Sequence, residues 1–154
     1  MPRLRDAERL IGSLAYPGMP ADEGEVARAW IRRHVDDYDR LEFNVRIGPA
    51  NKIPEGMSES TERLNSAVGR RRADIIAWHG SSVDIVEVKT RVTLSAMGQL
   101  KGYRALWSYD HPVFQVDKLI AVGTLAVEGV AIAMEAEHIQ LEVLPEEEVA
   151  HAAI

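Results

Sequence analysis

The chain has no cysteine. A disulfide framework, a cysteine nucleophile and a thiolate zinc site are therefore excluded, and the composition suits a reducing compartment, so a cytoplasmic protein is expected. Long hydrophobic runs are also missing. The apolar stretch from Leu10 to Leu14 is broken by Gly12 and Ser13, and no segment approaches the roughly 20 apolar residues of a membrane span. No membrane partner is expected. Aromatic residues make up only 6%, and Trp30, Trp78 and Trp107 read as core or interface residues, not as a platform for stacked bases. His34, His79, His111, His138 and His151 show no metal-ligand spacing. There is no GxSxG elbow and no glycine loop ahead of a Lys-Ser or Lys-Thr pair.

What is present points to one α/β domain spanning residues 1–154. A chain of 154 residues that is 46% hydrophobic can bury a real core without covalent staples. Its net charge of −6 argues against indiscriminate binding to a polyanion. Acidic and basic residues balance over residues 1–80, so residues 81–154 supply the whole negative excess. Nucleic-acid contacts are therefore expected around Arg70, Arg71, Arg72, Lys89, Arg91, Lys101 and Arg104. The acidic C-terminal segment, with Glu146, Glu147 and Glu148, would repel phosphate.

A helix is predicted from Glu23 to His34, with Asp22 as its cap and Glu25 closing a reciprocal capping box. Leu41 to Ile47 alternates apolar and polar residues, the pattern of a half-covered strand. Residues 48–69 form a long excursion with one short helix near Ser60 to Val68. Two strands follow, Ala73 to Trp78 and Val83 to Lys89, joined as a hairpin across His79-Gly80-Ser81-Ser82. The remaining elements are a helix from Leu94 to Ser108, a strand from Lys118 to Gly123, a helix from Ala126 to Glu137 and a strand from Ile139 to Leu144. The order implies a mixed sheet with helices packed against it.

The hairpin carries the chemistry. Glu87 and Lys89 are two residues apart on one strand, so both side chains leave the same face. Asp74 opens the neighbouring strand, about 5 Å away in a sheet. Two carboxylates so close repel unless a positive charge lies between them. A hard oxygen-seeking cation, Mg²⁺ or Mn²⁺ in its place, is the natural occupant, bound by Asp74, Glu87 and the Val88 carbonyl. The Lys89 ammonium can then orient the attacking water and offset charge on phosphate. Plainer alternatives are a strand-end carboxylate paired with Arg71 or Arg72, and solvent-face positions for Glu87 and Lys89. Against them, Val83 and Ile85 share that face, and charges entering a core edge without purpose are costly.

Ala73-Asp74 followed by Glu87-Val88-Lys89 resembles the PD-(D/E)xK phosphodiesterase superfamily, with Ala73 in place of the proline. Gln99-Leu100-Lys101-Gly102-Tyr103 is similar to the Gln-x-x-x-Tyr motif of its RecB-like exonuclease branch. The resemblance implies a restriction-endonuclease-like fold, a mixed central sheet flanked by helices. It also implies a metal-dependent nuclease acting in DNA processing, repair, recombination or phage DNA metabolism. By the same resemblance Gln99 and Tyr103 support the site and contact DNA, and a first-helix glutamate lies near the metal. Glu25 is the better match for that glutamate and Glu23 the weaker.

The rival expectation is a non-catalytic binding or assembly subunit on a nuclease-like fold. Homodimerisation or membership of a larger DNA-processing complex fits either reading, with Trp107 and Tyr109 as exposed apolar candidates for contact.

Overall fold

Val83 to Val88 is apolar at every position except Asp84 and Glu87, the composition of a strand covered on both faces. In the computed structural model, which describes residues 19–49 and 71–152, this run is the middle of a five-stranded sheet. The elements, in chain order, are α1 (Ala21–Arg33), β1 (Arg40–Ile47), β2 (Arg71–His79), β3 (Ser82–Val88) and β4 (Arg91–Val92). There follow α2 (Leu94–Asp110), β5 (Gln115–Gly123), β6 (Leu125–Ala126), α3 (Val130–Ala136), β7 (Ile139–Val143) and α4 (Glu146–Ala152). The sheet order is β1-β2-β3-β5-β7. β1, β2 and β3 pair antiparallel, while β5 and β7 add in parallel. Parallel neighbours need a crossover, and α2 and α3 supply it. The result is the expected mixed α/β sheet flanked by helices.

Two cores lie on opposite faces of this sheet. On one, Val26, Ala27, Trp30 and Ile31 of α1 and Val149 of α4 cover Ile75, Ala77, Val86, Val88, Ile120 and Val122. On the other, Ala96, Leu100, Tyr103 and Trp107 of α2 and Met134 of α3 cover Ile76, Val83, Ile85, Leu119 and Ala121. The buried positions of each helix recur three and four residues apart, the stripe a sheet-facing helix requires. No helix among the described residues is long and apolar enough to cross a membrane.

Several expectations need correction. The first helix starts at Ala21, with Pro20 at its N-cap and no side-chain cap bond. Proline suits a helix start because its missing N–H would have had no helical partner there. Asp22 Oδ1 accepts instead from the adjacent Glu23 N–H at 3.0 Å, so the capping box does not form. The helix expected from Ala126 begins only at Val130, because Leu125 and Ala126 pair with Arg91 and Val92 in a small separate sheet. The acidic segment is not merely a charged tail. Its α4 packs against α1, where Arg33 Nε donates to Glu148 Oε1 at 3.0 Å. The short helix expected near Ser60 to Val68 lies outside the described residues, as does all of the 48–69 excursion beyond Gly48 and Pro49.

Candidate active site

The hairpin positions Asp74 by ending early. Its turn, Gly80-Ser81, places Gly80 at φ +64°, where an L side chain is disfavoured. From there β2 and β3 pair from His79 with Ser82 up to Ile75 with Val86. Past that pair the Val88 N–H is bound not by the β2 backbone but by the side chain of Asp74, whose Oδ2 accepts it at 2.8 Å.

A change of face accompanies this exchange. Strand alternation would put Ala73, Ile75 and Ala77 on one side, yet Ala73 packs under α2 while Ile75 and Ala77 pack under α1. The switch is centred on Asp74. The register places Asn44 opposite it, between the pairs Phe43–Ile75 and Val45–Ala73, and Asn44 has φ +51°. A left-handed residue twists a strand locally, as bulges near functional sites do, and asparagine tolerates that conformation better than most residues.

Glu87 is 2% exposed. The Lys89 ammonium lies 3.0 Å from its Oε1, while its Oε2 is buried with no hydrogen-bond partner. Burial, and then the neighbouring Asp74 carboxylate, push Glu87 up to about 8. Burial also raises Asp74, partly opposed by the Val88 N–H and the Lys89 charge. Burial pulls Lys89 down, but the Glu87, Glu23 and Asp74 carboxylates outweigh it and the net shift is upward. The solvent-face alternative for Glu87 is thereby excluded. A buried, unpartnered carboxylate oxygen beside a second carboxylate is a donor set that a hard divalent cation fits.

Three further side chains face this group. Tyr103, from α2, is raised by burial and by the Glu87 and Asp74 charges, and Gln99, one turn earlier, hydrogen-bonds to it. Glu23, from the first turn of α1, is raised by burial and feels the charges of Lys89 and Asp74. The Lys89 backbone is fixed from β5. Its N–H donates to Val122 O at 2.9 Å, and its carbonyl lies so close to Gly123 that a Cβ there would sit 2.8 Å away.

Thus the fold gathers Asp74, Glu87, Lys89, Gln99 and Tyr103, with the Val88 N–H bound to Asp74. It does not bring in Glu25. That residue is exposed, while Glu23 is partly covered. Two positions on a helix differ by about 200°, so only one of the pair can face the sheet end. Arg71 and Arg91 are exposed and Arg72 and Arg104 half-exposed, while Arg70 lies outside the described residues. The Lys101 ammonium is held by Glu137 Oε2 at 2.6 Å in an exposed ion pair. Trp107 is not an exposed contact residue. It is buried and its Nε1 donates to Phe114 O at 2.9 Å, whereas Tyr109 is 71% exposed.

A second group escaped the reading of the histidines. Ligand atoms of His79, Asp84 and Asp117 lie within 4.8 Å of one another, a grouping that could hold a metal ion. The signal available in sequence was Asp84, a lone charge in the apolar first half of β3. The missing part was the register that brings β5 alongside.

No protein-family model matches the chain, and no curated protein matches it in sequence. Solved structures do resemble it in fold. A crystallised protein of unknown function aligns with TM-score 0.50 at 10% identity, over 84% of this chain and 66% of that one. A repair endonuclease from Pyrococcus abyssi gives 0.48 at 19% identity, over 82% and 48%. The structure of EndoMS in complex with double-stranded DNA gives 0.46 at 15% identity, over 86% and 49%. The likeness is one of fold alone, and this chain spans about half the length of the latter two.

Proposed function

We propose that this chain hydrolyses DNA phosphodiester bonds with a divalent cation, Mg²⁺ or Mn²⁺ in its place, held by Asp74 and Glu87 together with the Val88 carbonyl. One observation carries the reading. Glu87 Oε2 is buried and unpartnered beside Asp74, with an ammonium on the other oxygen of the same carboxylate. A protein that gains nothing from such a group would have little reason to bear its cost.

The cation, when bound, supplies Lewis-acid polarisation of the phosphate and a lower pKa for the attacking water. The other roles fall to the chain itself. Lys89 holds positive charge against the phosphoryl oxygens as negative charge develops there, and its fixed backbone lets it do so without reorganisation. Tyr103, steadied by Gln99, bounds the Glu87 carboxylate from α2, and Glu23 brings a third carboxylate from α1. Arg71, Arg72, Arg91 and Arg104 position the DNA backbone, work that needs charge and reach but no base recognition. Lys101 contributes less, since Glu137 already neutralises it. The Gln99 and Tyr103 pair favours the RecB-like branch of the PD-(D/E)xK nucleases, and DNA processing or repair as the setting.

The test is a cleavage panel of single-stranded, duplex, flapped and branched DNA, with and without Mg²⁺ or Mn²⁺. Cleavage that requires the metal is expected. A folded protein that cuts none of these substrates with either metal overturns the reading.

A further inference from the structure

A cleft of about 430 Å³ lies beside the C-terminal end of α1 and reaches the end of the sheet away from Asp74 and Glu87. Its walls include His34, Tyr38, His79, Asp84, Asp117 and Glu142. Acids outnumber fixed positive charges there, so the cleft repels a nucleic-acid backbone and attracts a cation. At one side of it three strands converge. His79 is the last residue of β2, Asp84 lies early in β3 and Asp117 early in β5. His79 Nε2 is 3.0 Å from Asp84 Oδ1 and 3.7 Å from Asp117 Oδ2.

We propose that His79, Asp84 and Asp117 form a second divalent-metal site, distinct from the Asp74 and Glu87 pair and selective for a borderline ion such as Zn²⁺. An imidazole nitrogen with two carboxylate oxygens suits zinc and its neighbours better than magnesium, which prefers all-oxygen surroundings. The spacing agrees. Ligands about 2.1 Å from a tetrahedral zinc stand about 3.4 Å apart, and the two separations from His79 bracket that value. All three ligand atoms lie within 4.8 Å of one another, so a small movement of the exposed Asp117 side chain completes the set.

Surrounding bonds prepare the group for this role. The Tyr38 hydroxyl donates to Asp84 Oδ2 at 2.7 Å, and the Lys118 N–H donates to Asp84 Oδ1 at 3.0 Å. Ligating carboxylates are commonly fixed by such outer hydrogen bonds. An ion would replace only the contact between His79 and Asp84, leaving the other two intact. Three protein ligands leave room for water, so the site is open to the cleft. It is also remote from the first pair. Asp84 and Glu87 are three residues apart on β3, about 10 Å along the strand, and their side chains leave opposite faces. The ion would tie β2, β3 and β5 together at the end of the sheet that the first pair does not reach.

The experiment uses full-length Glu87→Gln protein, which removes the first site, titrated with Zn²⁺ by calorimetry and followed by thermal melting. One zinc per chain, a raised melting temperature and nitrogen scattering at the zinc absorption edge are expected. Asp117→Asn added to this background alters an exposed residue and leaves folding intact. It should lower zinc affinity at least tenfold and remove the thermal gain, as should His79→Gln. Absence of zinc binding in the Glu87→Gln protein, oxygen-only scattering, or unchanged affinity in the Asp117→Asn variant overturns the proposal. None of these readouts depends on DNA cleavage, so failure here and failure of the nuclease reading are separately visible.

Discussion

Asp84 and Glu87 stand three residues apart on β3, and each is only 2% exposed. The protein treats their charges in opposite ways. Asp84 accepts from the Tyr38 hydroxyl and the Lys118 N–H, with the His79 ring 3.0 Å away, so both of its oxygens are occupied. Glu87 meets one ammonium on Oε1, while its Oε2 has no partner at full hydrogen-bonding distance and lies beside the Asp74 carboxylate and the Tyr103 hydroxyl. Burial of an acid is thus not in itself the mark of a reactive site. What sets Glu87 apart is an incompletely bonded carboxylate oxygen beside a second carboxylate, an arrangement that a cation would complete. Asp84, by contrast, is held in place by its neighbours before any ligand arrives.

The contrast can be broken most severely at Lys89. Lys89→Ala should lower the cleavage rate by about 10²–10³-fold or more, the loss typical of a removed electrostatic stabiliser. Its melting temperature should barely move, and initial rates on labelled DNA together with a thermal melt read both quantities. Asp84→Ala should do the reverse in metal-free protein. It strands the Tyr38 hydroxyl and the Lys118 N–H and should cost about 3 kcal/mol of stability, measured by urea unfolding.

A third comparison uses pH. Glu87 ionises near 8 when folded, against 4.5 for the free side chain. The folded state therefore holds more protons than the unfolded state between those values, and metal-free stability falls as pH rises from about 4.5 to about 8. Glu87→Gln should flatten that decline in melting temperature. An undiminished slope in the variant would mean that Glu87 is not its source. The smallest effect is expected at Asn44. Asn44→Gly, which accepts positive φ freely, should leave Mg²⁺ affinity nearly unchanged, whereas Asn44→Val should weaken it several-fold in calorimetric titration.

Much of this was legible in the residues. The hairpin followed from two β-rich runs around Gly80 and Ser81, and α2 from the spacing of its apolar positions. Asp74, Glu87 and Lys89 could be brought together because a strand pair has a fixed spacing and a two-residue alternation. Where competing local rules applied, reading failed. Asp22 and Glu25 satisfy a capping pattern, but Pro20 starts the helix earlier, and the turn so defined presents Glu23 to the site. Pro145 reads as a strand stop, yet it also precedes the helix that begins at Glu146. The face switch at Asp74 and the meeting of His79, Asp84 and Asp117 depend on pairings between distant segments, which no local period encodes.

Gly123 carries a consequence beyond its own strand. A methyl group at that position would collide with the carbonyl of Lys89 and with Val92. The placing of Lys89 is thus governed by an atom left out of a neighbouring strand. Intolerance to alanine at position 123 would look, in a mutational survey, like a functional residue with nothing to touch.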